Sequence, residues 1–173
     1  MPSSRRLIAN STLTGTTASV TFSSIPSAFT DLVLKWSTRD NGDTTYANIT
    51  INGVSSANYS RIYIEATGTS VASGIGQNLT TAVVSGASTK GLSWTANTFS
   101  SGELYIPNYT STVNKQFSIY TVAENNATGV GNNLIDPHAS LFQSSSAISS
   151  ITFAGNGNFE AGSSFYLYGI VNS

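Results

Sequence analysis

Thr30-Asp31-Leu32-Val33-Leu34-Lys35-Trp36-Ser37-Thr38-Arg39 decides the fold class. Leu32, Leu34 and Trp36 fall on one side of an extended chain, with Val33, Lys35 and Ser37 on the other. Successive side chains of a strand point to opposite faces, so this alternation makes a ribbon with one apolar surface. The same period recurs in 45–52, where Ala47, Ile49 and Ile51 alternate with Tyr46, Asn48 and Thr50. In 59–66, Ile62 and Ile64 point opposite to Tyr59, Arg61 and Tyr63. Further alternating runs lie at 6–9, 18–22, 91–96, 102–106, 116–124, 139–143, 149–153 and 164–171.

Turn chemistry separates these runs. Asn41-Gly42-Asp43, Asn52-Gly53, Gly74-Ile75-Gly76 and Gly155-Asn156-Gly157 supply residues that tolerate positive φ. No window carries apolar residues at helical spacing between caps. Short strands at regular intervals predict an all-β fold, an antiparallel two-sheet sandwich with jelly-roll wiring. Residues 1–15 read as an N-terminal arm or first strand, and 16–173 as a single β-sandwich domain. Two segments, 67–90 and 125–137, are rich in small and turn-forming residues and read as long loops.

Composition narrows the function. Only 9% of the 173 residues are charged and the net charge is −1, against a norm of about 25% charged. Ser, Thr, Asn and Gly take up the polar share, which suits broad contacts with proteins or sugars. Arg5-Arg6 is the one adjacent basic pair, so the clustered cations that grip a phosphate backbone are missing. There is no cysteine, hence no disulfide framework and no thiolate chemistry, which favours a reducing site of synthesis. The first ten residues lack the apolar core of a signal peptide, and no run approaches the ~18 apolar residues of a membrane span. Neither nucleic acid nor membrane is an expected partner.

The search for catalytic groups returns little. His138, the only histidine, follows Asp136-Pro137 and reads as a turn residue, with no Gly-x-Ser-x-Gly elbow to present a nucleophile. Asp40 and Asp43 read as a polar turn, with a calcium site as the functional alternative. Glu65, Glu103, Glu124 and Glu160 have no local partner that would make a glycosidase pair. Gly74-Ile75-Gly76 lacks the helix that turns a glycine loop into a phosphate cradle. The Asn-x-Ser/Thr sequons at Asn10, Asn48, Asn58, Asn78, Asn108 and Asn126 are no more than this composition yields by chance. No enzyme activity, cofactor or metal is expected. The aromatics say more: Tyr59, Tyr63, Trp94, Tyr105 and Tyr109 are candidates for a surface row that stacks on a glycan or anchors a partner. Burial of both faces of an inner strand is the alternative, and Tyr166 and Tyr168 share the same ambiguity.

A resemblance joins these signals. Thr17-Ala18-Ser19-Val20-Thr21-Phe22-Ser23-Ser24-Ile25-Pro26 runs into Phe29-Thr30-Asp31-Leu32-Val33-Leu34. Ile49-Thr50-Ile51-Asn52-Gly53 and Asn58-Tyr59-Ser60-Arg61 follow. Phe159-Glu160-Ala161-Gly162-Ser163-Ser164-Phe165-Tyr166-Leu167-Tyr168-Gly169-Ile170 closes the pattern. Together they resemble small all-β virion structural proteins of tailed bacteriophages, of the capsid decoration, head-fibre or tail-fibre type. The resemblance implies a virion protein assembled in the host cytoplasm. Its partners would be the major capsid protein or other virion proteins, and it would be a homotrimer at three-fold positions. The absence of a long helical shaft favours a decoration (cement) protein, with Arg5 and Arg6 as a candidate capsid-docking arm. The alternative is a tail-fibre or receptor-binding domain that recognises a host surface glycan.

Overall fold

A computed structural model describes residues 4–42, 44, 46–85, 95–124 and 133–171. The described residues form strands and loops without a helix. The strands are β1 (Ser4–Thr12), β2 (Thr17–Phe22), β3 (Asp31–Thr38), β4 (Tyr46–Ile51), β5 (Tyr59–Thr67) and β6 (Ser70–Leu79). After them come β7 (Ala82–Ser85), β8 (Ser100–Ile106), β9 (Lys115–Ala123), β10 (Leu134–Phe142), β11 (Ile151–Phe159) and β12 (Ser164–Val171). One sheet has eight strands in the order β1-β12-β3-β8-β9-β10-β5-β6, and the other has four, β2-β11-β4-β7. All pairs are antiparallel.

Eight of the strands carry the jelly-roll wiring expected of the alternation. The quartets β1-β12-β3-β8 and β2-β11-β4-β7 face each other, and the chain passes between them in the double Greek-key order. Two hairpins are additions to that plan. β5–β6 interrupts the link from β4 to β7, and β9–β10 the link from β8 to β11. Both join the larger sheet beyond β8, where β10 pairs with β5.

The core between the sheets is aromatic. Phe153 of β11 makes edge contacts with Trp36 of β3 at 5.0 Å and Phe165 of β12 at 5.6 Å, and with Phe159 at 5.5 Å. Leu32, Leu34, Ile49, Ile51, Leu104 and Leu167 surround this cluster, all buried. The Trp36 ring lies over its cross-strand partner Gly102, where a Cβ would sit 2.3 Å from the indole. Only glycine leaves room for the indole there.

Several expectations need correction. The stretch 67–90 is not one long loop, since it holds β6 and β7. Gly74 and Gly76 mimic a turn in sequence, yet each faces a large side chain across the ladder. Gly74 pairs with Tyr63 and Gly76 with Arg61, and a Cβ at Gly74 would meet the phenol at 2.7 Å. In 125–137, residues 125–132 lie outside the described residues, but Leu134 to Pro137 belong to β10. His138 is therefore an interior strand residue and not a turn residue. Pro137 hid this strand because it cannot donate to a ladder. The pairing of β10 with β5 steps from Ile135↔Ala66 to His138↔Tyr63 around it. Of the run 91–96, only Thr95 and Ala96 are described, in a turn where the Thr98 N–H donates to the Thr95 carbonyl.

The loops at one end close on a buried cation. Lys115, at the start of β9, is 1% exposed. Its ammonium donates to the carbonyls of Ser111 and Val113 at 2.7 Å, Ser146 at 2.9 Å and Ser144 at 3.1 Å. Burial pushes its pKa below the ordinary lysine value, while four carbonyl dipoles favour the charged form. Replacing it with an apolar chain of similar length strands those carbonyls. Lys115→Met is expected to lower the unfolding free energy by about 2–4 kcal/mol in urea denaturation, as when charged hydrogen bonds are lost from a buried site.

Candidate functional site

The larger sheet has eight strands against four, and β7 at the edge of the smaller sheet packs across β9, β10 and β5. At one end of these strands the inward side chains are apolar, with Phe117, Phe142 and Tyr59 in the main core. Further along, the inward face turns polar. Thr121 pairs with Asp136 across β9 and β10, and Glu65 continues that row on β5. The next row carries Ile119, His138, Tyr63 and Gly74. Asp136 and His138 are two apart on one strand, so both project inward, and both are buried.

The outward face of the same strands is the reverse. Ile62 is 61% exposed, Ile64 54%, Val71 74%, Ile75 69% and Ile135 50%. Cross-strand pairing gathers them: Ile62 opposes Ile75 on one side and Ala139 on the other, and Ile135 opposes Ala66 and Val122. No outward position on these four strands is Asp, Glu, Lys or Arg. A cleft of about 530 Å³ opens on this face, lined by Ile62, Ile75, Ala139, Ser118, Tyr105 and Pro107. Solitary soluble domains rarely leave so contiguous an apolar surface to water. A charged band follows towards the other edge, where Lys35 pairs with Glu103 at 2.9 Å and Arg5 approaches Glu103 at 4.0 Å.

Under the apolar face lies a polar network. His138 Nε2 and Asp136 Oδ2 are 2.5 Å apart, and the Tyr63 ring is 5.7 Å from the imidazole. The Arg61 guanidinium stacks 4.4 Å over Tyr63. Burial raises the pKa of the Tyr46 phenol, and the charges of Glu65 and Asp136 add to the rise while Arg61 opposes it. Buried polar atoms without a hydrogen-bond partner concentrate here: Arg61 Nε and Nη1, Ser85 Oγ, Thr121 Oγ1, Asp136 Oδ1 and His138 Nδ1. Among the described residues no hydroxyl hydrogen-bonds His138 Nδ1. Among the described residues no group of three His, Cys, Asp or Glu could hold a metal ion.

The residues singled out in the sequence are scattered. Tyr59 and Tyr109 are not surface aromatics, being 1% and 0% exposed. The Tyr59 ring stacks on Phe142 at 5.0 Å. Its hydroxyl accepts from the Ile51 N–H and donates to the Val54 carbonyl, fastening the turn after β4. The Tyr109 hydroxyl donates to the Pro26 carbonyl. Tyr63 is half-buried in the polar network. Tyr105 is half-buried at the cleft and donates to Asp31 Oδ2 at 2.8 Å. Trp94 and Asp43 lie outside the described residues. Arg5 and Arg6 are exposed on β1, which pairs along its length with β12 and is therefore the first strand of the sheet, at its edge. Arg5 also stacks 5.8 Å from the Tyr168 ring. Asp40 accepts from the Gly42 N–H at 2.5 Å and from the Gly157 N–H, binding the turn after β3 to β11, so Gly155-Asn156-Gly157 lies within a strand and is not the turn expected from the sequence.

The sequence left the facing of β5 open, with Tyr59 and Tyr63 as surface candidates and burial of both faces as the alternative, and the structure turns Ile62 and Ile64 outward. Alternation sorts Ser60, Ile62, Ile64 and Ala66 from Tyr59, Arg61, Tyr63 and Glu65, but not which set lies inside. The Gly74 and Gly76 partners were the available signal, since glycines opposite Tyr63 and Arg61 mark a crowded face.

No protein-family model and no curated protein matches this sequence. Eight chains of known structure match. One is a galectin of Caenorhabditis elegans, LEC-6, 8% identical, covering 92% of this chain and 95% of its own, with a TM-score of 0.33.

Burial raises the phenol pKa of Tyr59, Tyr105 and Tyr109 above the ordinary 10.0. A raised acid favours the protonated folded state, so its contribution is complete below pH 10 and is lost as pH rises through the folded value. The melting temperature is therefore expected to fall as pH is raised beyond 10, less steeply in Tyr109→Phe. A scan of thermal unfolding against pH with parallel slopes for the two proteins would refute this.

Proposed function

We propose that this protein is a non-enzymatic structural component of a tailed-bacteriophage particle, a capsid decoration protein that binds the outer capsid lattice and stabilises it. The observation that supports a structural role is the uncharged apolar face built by the two inserted hairpins. A fold does not specify a function, but additions to a fold often carry it. Here the additions create a surface suited to protein contact and unsuited to phosphate backbones. The resemblance to virion structural proteins supplies the particle, and the major capsid protein is the proposed partner. β1 offers a second means of attachment: its outer edge has unpaired backbone groups, and Arg5 and Arg6 flank it with positive charge.

A second reading is a glycan-binding tail domain. The outward cleft favours it, since Gln77, Gln116 and Ser118 offer hydrogen bonds beside Ile62 and Tyr105.

Purified protein mixed with capsids that lack it is expected to co-sediment saturably, at a fixed ratio to the major capsid subunit. Absence of binding across a concentration series sinks the decoration reading, and a glycan array then tests the tail reading.

A further inference from the structure

We infer that the outward apolar face of β9, β10, β5 and β6 is covered by a second copy of this chain. The inference rests on reading that face as a protein contact, and it leaves capsid attachment to other surfaces such as the β1 edge.

Area is the first argument. Ile62, Ile64, Val71, Ile75, Ile135 and Tyr120 together expose on the order of 700 Å², close to the ~800 Å² that each partner contributes to a stable interface. Charge is the second. When a patch meets its own copy, every charge it carries returns against the same charge, and like charges across an interface are costly. The outward positions of these four strands carry no formal charge and meet themselves without that penalty, charges entering only at the border, where Glu103 opposes Tyr120 and Arg61 adjoins the cleft. A chain that evolved towards a charged partner would be expected to show complementary charges on this face, and none is present.

Shape is the third. At one end of the face Val71, the most exposed of these side chains, pairs with Ala66. At the other end the cleft opens beside Ile62 and Ile75. A two-fold axis between the faces, running across the strands, places Val71 of one copy over the cleft of the other, and does so twice. Such an isologous contact closes at two copies and buries both faces. Such a pair and the three-fold association expected above differ in mass in solution.

Light scattering coupled to size-exclusion chromatography reads the outcome. The wild-type chain is expected at twice its 18.1 kDa, and Ile75→Asp at the monomer mass with an unchanged circular dichroism spectrum. Val71→Lys, at a still more exposed position, is the second variant if Ile75→Asp fails to fold. A wild-type monomer at micromolar concentration overturns the inference. So does a trimer, or a dimer that survives either folded variant. A wild-type monomer that still co-sediments with capsids removes the self-contact and leaves the decoration reading standing. A dimer that Ile75→Asp dissociates but that binds no capsid supports the self-contact and removes the decoration reading.

Discussion

Phe153 is the contact on which the sandwich depends. It belongs to the smaller sheet and meets Trp36 and Phe165 of the larger one edge-on, while Phe159 closes the group. Edge-to-face geometry sets the positive rim of one ring against the negative face of another, adding about 0.5–1.5 kcal/mol per pair beyond area burial. It also fixes position. Trp36 pairs with Phe165 on one side and Gly102 on the other. A one-residue slip of β3 would turn the indole outward and set Lys35 against the core. Both sheets are held in register by this cluster, and the eight-strand jelly roll follows.

A sheet of eight strands cannot be covered by one of four. β7 of the smaller sheet packs across β9, β10 and β5. The inward face of these strands turns polar along their length, with Thr121, Asp136 and His138 buried and Arg61 and Glu65 half-buried beside them. Ile62, Ile64, Ile75 and Ile135 of the same strands point away from the core, whereas Ile119 of β9 lies within it. Polar interior and apolar exterior are thus one arrangement seen from two sides.

Legibility in the sequence followed this boundary. Leu32, Leu34 and Trp36, or Ala47, Ile49 and Ile51, show period two and lie in the conventional core, so the reading of strand and face agreed with the structure. β6 was illegible because Ser70 to Leu79 has no clear alternation and only Leu79, at its end, is a large side chain packed on the core, so its identity as a strand comes from Tyr63 and Arg61 across the ladder. β10 was cut short because a proline in a central strand ordinarily argues against one. Tyr59 stayed open between a surface aromatic and a buried one because the phenol's partners, Ile51 N and Val54 O, are backbone atoms that no pattern of side chains reveals. The candidate face needed the relation between two hairpins that are distant in sequence, and periodicity within a strand does not contain it.

The carbonyl cage around Lys115 has a consequence of its own. Ser111, Val113, Ser144 and Ser146 converge their carbonyl oxygens much as a loop does around a bound alkali or alkaline-earth ion, but the charge at the centre is covalently attached to β9. Such a centre cannot be diluted away, exchanged or chelated. The closure of these two loops therefore does not depend on a metal ion drawn from the medium.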